Sequence, residues 1–168
     1  MNAVLATPGE DAGQKFDIAN VHIRTPAAQA GQAVCRWRRY FDRKHLTRPL
    51  WVTETGYPAD PAQQTDPSYQ GGAVAQARYL ADALPVMLGA GAAMVFVTER
   101  DWGTGRYASE GVLDTSDPLT ASPIYTRRPS FYVTQKLAEG GWRRASQARP
   151  ACNLGVHAHA PRRVIPTQ

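Results

Sequence analysis

Apolar and polar residues alternate through Phe16-Asp17-Ile18-Ala19-Asn20-Val21-His22-Ile23, a β-rich stretch that predicts a strand ending near His22 to Arg24. Thr25-Pro26 then opens a helix over 26–46, where Ala30, Val34, Trp37, Tyr40 and Phe41 recur at helical spacing and arginines take the other face. Trp51, Val52 and Thr53 are β-formers behind Pro49, which predicts a second strand over 50–53 that delivers Glu54 at its tip, because Gly56-Tyr57-Pro58 stops the run. A polar, proline-containing loop over 59–68 leads to a second helix over about 69–88, with Val74, Ala77, Leu80, Leu84 and Met87/Leu88 on one side and Gly89-Ala90-Gly91 as its stop. The stretch Ala93-Met94-Val95-Phe96-Val97-Thr98 is apolar on both faces, as a strand buried in a parallel sheet would be. It ends on Glu99-Arg100-Asp101-Trp102. A loop of about 25 residues follows, and Pro129 opens a last helix over 130–138. Strands joined by helices of this length run parallel, so the order strand, helix, strand, helix, strand, long loop, helix predicts an α/β architecture.

Composition sharpens this only in places. The 168 residues fit one domain with a real core. No run of 18 apolar residues and no basic-then-apolar leader occurs, so the chain as written reads as cytoplasmic, with no membrane partner. The formal charge of +5, from 19 Lys and Arg against 14 Asp and Glu, is local: Arg143, Arg144, Arg149, Arg162 and Arg163 account for all of it. That divides the chain into a balanced portion, 1–142, and a tail, 143–168, with no acid and three prolines, which reads as a disordered or loosely attached extension. Its charge would draw polyanions weakly, not a specific nucleic acid. Cys35 and Cys152 have no metal-ligand spacing. Cys35 in a helical pattern reads as a buried thiol, and neither a disulfide nor a redox role is expected. His157 and His159 read as solvated tail residues, so no metal site is expected.

A short apolar run that stops on a carboxylate is how a barrel strand presents a catalytic acid, because strand tips face the active site of a (β/α)8 barrel. Four segments together resemble the C-terminal part of a clan A glycoside hydrolase, the retaining glycosidases built on that barrel. Asp17-Ile18-Ala19-Asn20-Val21-His22 resembles the sixth strand and Pro49 to Pro58 the seventh with its nucleophile. Ala93 to Trp102 is similar to the eighth, and Gly111-Val112-Leu113 with Arg128-Pro129-Ser130-Phe131-Tyr132 resembles the closing loop and helix. The resemblance covers about residues 15 to 140.

The resemblance implies hydrolysis of an O-glycosidic bond with retention, without cofactor, through a covalent intermediate on Glu54. Such enzymes need two carboxylates about 5 to 5.5 Å apart. It also implies that His22 and Tyr57 donate hydrogen bonds near Glu54 and that Trp102 stacks on the sugar. Family members often carry an aromatic two residues after the histidine, where this chain has Arg24. The acid/base belongs to a fourth-strand Glu commonly preceded by Asn, and no Asn-Glu pair occurs here. Only about 15 residues precede the first strand, whereas five more barrel units would need roughly 150. The chain therefore reads as a partial barrel, strands six to eight, lacking the acid/base. Glu99 and Asp101 are possible stand-in carboxylates. A sugar-binding remnant without turnover, and a basic interaction protein acting through the Arg-rich tail, are the alternatives. Open sheet edges in such a fragment favour self-association.

Overall fold

The computed structural model describes residues 16–63, 67–102, 105–115, 125–141 and 152. Three strands, β1 (Ala19–His22), β2 (Leu50–Glu54) and β3 (Met94–Val95), form a parallel sheet in the order β1-β2-β3. Helix α1 (Ala27–Arg43) joins the first pair and α2 (Gly72–Gly89) the second. This is the parallel α/β arrangement expected from the alternation of patterns.

The third strand departs from its pattern. Only two residues pair regularly in β3, and Met94 and Phe96 are 43% and 40% exposed. The sheet is covered on one face: Val21, Leu50 and Val52 are buried with Val34, Leu80, Ala83 and Met87 of the helices, while Trp51, Met94 and Phe96 lie towards the other side. The Trp51 and Phe96 rings stand 5.5 Å apart there. A run that is apolar at every position cannot reveal by itself that only one face is covered.

Both crossover helices end in the same way. In α2 the amide of Gly91 bonds to Leu88 O and that of Ala92 to Met87 O, with Gly91 at φ 99°, the left-handed closure anticipated for Gly89-Ala90-Gly91. In α1 the corresponding bonds run from His45 to Asp42 O and from Leu46 to Phe41 O, and the left-handed residue is His45, at φ 55°. The helix therefore stops at Arg43, three residues short of the predicted end. Leu46 tucks back into the core beside Phe41. Val74, expected on the buried side of α2, is 58% exposed; Gln76, two residues on, is fully buried instead.

The long loop after β3 carries a short antiparallel pair that the pattern did not show, β4 (Leu113–Thr115) and β5 (Tyr125–Arg127). Its start runs beside the residues that follow β3: the amides of Val112 and Leu113 donate to the carbonyls of Thr98 and Glu99, and Arg100 pairs with Leu113 in an isolated parallel bridge. Helix α3 (Pro129–Lys136) follows, Pro129 at its start as predicted, and continues in a wide π turn over Leu137–Gly141. It packs on α2.

The cysteines correct the sequence reading. Cys35 is not a buried thiol; it is disulfide-bonded to Cys152, with Cα atoms 5.3 Å apart. Cys152 Sγ sits 3.4 Å from Ala90 O at the end of α2, and Arg39 Nη2 donates to Cys152 O at 2.7 Å. A separation of 117 residues carries no spacing signal, which is why pattern alone missed the pair. Within 143–168 only Cys152 is described, and it is fastened rather than loose. Arg143, Arg144, Arg149, His157, His159, Arg162 and Arg163 lie outside the described residues.

Candidate functional site

Glu54 ends β2, the central strand, at the carboxyl end of the sheet, where α/β sheets place their ligands. Its side chain is 47% exposed. The pairing of β1 with β2 slips by one residue between Val21 and His22, so that Val21 faces Val52 but His22 faces Glu54 rather than Thr53. Such a bulge re-aims a side chain at the end of a sheet. Here it brings His22 Nδ1 to 3.3 Å from Glu54 Oε2. Two expected site residues, Glu54 and His22, are thus adjacent.

The same oxygen, Oε2, accepts a 2.9 Å bond from Arg24 Nη2. Arg24 stands where an aromatic was expected from the family resemblance, and its ring contact is different in kind: the guanidinium carbon lies 3.8 Å from the centre of the Tyr107 ring. Its other arm, Nη1, donates to Glu110 Oε1. Burial alone would lower the Arg24 guanidinium, but its bonds to Glu110 and Glu54 outweigh this and leave it raised. Glu110 is 1% exposed, and burial pushes its carboxyl upward, with the nearby Glu54 acting in the same direction and Arg24 opposing both. Its second oxygen, Oε2, is buried without a hydrogen-bond partner.

Glu110 is held by a polar lattice under the 105–112 loop. Gln76 Nε2 donates to the carbonyls of Tyr57, Ser109 and Gly111 at 3.0, 3.3 and 3.2 Å, and its Oε1 accepts from Ser130 Oγ. Arg128 donates to Gly111 O at 2.7 Å and grips both oxygens of Asp101 at 2.6 Å. Asp101 also accepts from the Gly111 amide. A Cβ on Gly111 would lie 2.3 Å from the Arg100 carbonyl carbon, so only glycine fits there.

The other expected residues fall elsewhere. Tyr57 is a core residue: its hydroxyl accepts from the Gly71 amide at 3.0 Å, and its ring packs on Tyr69 and Tyr79. It does not donate to Glu54, because the turn after the strand directs it under the helices. Asp101 is committed to Arg128, which holds both of its carboxylate oxygens. Glu99 is exposed, and its backbone carbonyl receives the Leu113 amide. Trp102 is 44% exposed, and its amide bonds to Ala108 O, which sets it on the loop that carries Tyr107. Neither Arg24 nor Glu110 was singled out as a site residue. Glu110 is 86 residues from Arg24, and the only available signal was an acid set directly before the apolar Gly111-Val112-Leu113 in an otherwise polar loop.

Among the described residues no group of His, Cys, Asp or Glu is arranged to hold a metal ion, and no helix is long and apolar enough to cross a membrane. Comparison with known protein families, curated proteins and solved structures found no match.

Proposed function

We propose that Glu54 is the nucleophile position of a retaining-glycosidase site, carried on a segment equivalent to the last three strands of a (β/α)8 barrel. The observation that carries this reading is the half-exposed carboxylate at the tip of the central parallel strand, with one oxygen anchored by both Arg24 and His22. A nucleophilic carboxylate needs donors on one oxygen and an open approach to the other. In this reading Glu54 Oε1 attacks the anomeric carbon of a bound sugar, the leaving oxygen departs with a proton, and water later releases the glycosyl group. Trp102 is the proposed sugar-facing ring.

The acid that protonates the leaving oxygen is the missing half. Glu110 touches the site only through Arg24 and is enclosed, and Asp101 is held by Arg128. In this reading the acid and the rest of the sugar rim come from polypeptide beyond the described residues. The commitment of both carboxylates also favours a second reading, a sugar-binding surface without turnover.

The test is an assay of purified chain on an activated dinitrophenyl glycoside and on natural oligosaccharides. Loss of general-acid help costs about 10²- to 10⁴-fold, and activated leaving groups need that help least. The expected result is slow cleavage of the activated substrate only, abolished in Glu54→Gln. Activity unchanged in Glu54→Gln would sink the assignment. Sugar binding with no cleavage of either substrate would establish the second reading. Robust Glu54-dependent cleavage of a natural oligosaccharide would instead bring a second carboxylate into play, Glu99 first.

A further inference from the structure

Beneath Glu54 lies an arrangement that neither strand pattern nor family resemblance predicts: a buried carboxyl, a guanidinium and an exposed carboxyl in series. Arg24 spans them, Nη1 to Glu110 and Nη2 to Glu54, with Tyr107 over its face. The two ends differ. Glu110 is enclosed, whereas Glu54 is 47% exposed, so water competes for Arg24 at the Glu54 end and not at the other. Holding a long, flexible side chain in one rotamer costs conformational freedom, so an enclosed and well-held partner keeps it in place better than one that water can replace. Glu110 is the better-held partner, because Gln76 and Arg128 bond the backbone carbonyls of Ser109 and Gly111 on either side of it.

Gly56 shows that the two segments are fitted to each other. A Cβ at that position, two residues after Glu54, would lie 2.9 Å from Glu110 Cδ and 3.1 Å from its Oε2. The turn that ends β2 therefore leaves out a side chain in the space that the Glu110 carboxyl fills.

We infer that Glu110 is a positioning residue: it fixes Arg24, and through Arg24 sets the orientation of the Glu54 carboxylate. This deepens the reading of Glu54 as the site's carboxylate and rests on it, but the geometry can be tested without any turnover. Glu110 itself touches no substrate. Because it acts only through Arg24, its removal should matter when Arg24 is present and not otherwise.

The experiment is NMR of the full chain, following the Arg24 Nε–Hε signal and the Glu54 side-chain carboxyl carbon. The variants are Glu110→Met, which keeps length but offers no acceptor oxygen, Arg24→Gln, and the two combined. In the native chain the Arg24 Nε–Hε should be ordered and slow to exchange. Glu110→Met should speed that exchange roughly tenfold or more, as expected when a closed contact becomes a locally open one, and should move the Glu54 carboxyl signal towards its position in Arg24→Gln. In the Arg24→Gln background, adding Glu110→Met should leave the Glu54 signal where it is.

Gly56→Ala provides a second arm that alters no charge. Its methyl group displaces the Glu110 carboxyl and should reproduce both changes, and it carries the test should Glu110→Met not fold. Near-native Arg24 exchange and an unmoved Glu54 signal in Glu110→Met or in folded Gly56→Ala would overturn the inference. So would an equal shift of Glu54 with and without Arg24, which would make Glu110 merely a neighbouring charge. Failure here leaves the glycosidase reading standing, and absence of glycoside cleavage leaves this coupling intact.

Discussion

Two buried ionisable side chains in this protein are satisfied to different degrees, and that difference sets how each should respond to change. Arg128 is 8% exposed and has a partner on every side: both oxygens of Asp101, the carbonyls of Ser109 and Gly111, and Asp114 at 3.2 Å. Removing it leaves a largely enclosed Asp101 without its counter-ion, so Arg128→Ala should cost about 3–5 kcal/mol in chemical denaturation. Arg128→Lys should recover only part, since a lysine cannot form the planar two-pronged contact. Glu110 is the incomplete case, with one oxygen paired and one orphaned. Its carboxyl is raised above its ordinary 4.5, so the folded chain holds that proton more tightly than the unfolded one. Its contribution to stability is therefore full below about pH 4.5 and fades as pH rises through the raised value. The charged groups that act on it are Arg24 and Glu54. Compared with Glu110→Gln by denaturation at a series of pH values, the native chain should lose relative stability between acid and neutral pH. A difference that stays flat across that range would contradict this.

At the scale of elements, the ends of α1 and α2 invite comparison. The same left-handed closure is made by glycine after α2 and by histidine after α1. A side chain in that region is strained where glycine is not. His45→Gly should therefore stabilise the chain by up to about 1 kcal/mol, or roughly 2–4 °C in thermal unfolding for a domain of this size. Element order was readable because local sequence decides it: the β-formers of 50–54, the helical spacing of Ala30, Val34 and Phe41, and Pro129 at a helix start all act within a few residues. Glu54 was readable for the same reason, as a carboxylate between a strand and its turn. What escaped depends on contact at a distance. The slip that aligns His22 with Glu54 is a property of two strands together. Tyr57 looked like a donor beside Glu54 because it is three residues away, but the turn buries it beside Tyr79. Arg24 and Glu110 meet only when the 105–112 loop folds back over β1, and no spacing in the sequence encodes that.

For the whole molecule, the Cys35–Cys152 bond is the feature that local reasoning had no means to weigh. Disulfides of this kind form and persist in oxidising compartments. Intact mass should show the chain two hydrogens lighter than its reduced form. Closing a loop of more than 100 residues is worth about 4–5 kcal/mol in the chain-entropy account. Cys152→Ser, or reductant, should lower the unfolding temperature by roughly ten degrees. An unchanged midpoint would mean that the tail contributes nothing to the folded domain.

The bond also gives the chain a topology of its own. Residues 35 to 152 form a closed covalent ring that contains β2, α2, β3, the β4–β5 pair, α3 and the second half of α1, while β1 hangs outside it with Arg24 and His22. A protease that cuts once inside the ring separates nothing: the product gains one water in mass and remains a single molecule until it is reduced. A cut between Arg24 and Cys35, by contrast, leaves β1, and with it both groups that hold Glu54 Oε2, without a covalent tie to the ring. Nicking could therefore pass unnoticed on a non-reducing gel when it falls between the cysteines, yet leave Arg24 and His22 held to the site by non-covalent contacts alone when it falls between Arg24 and Cys35.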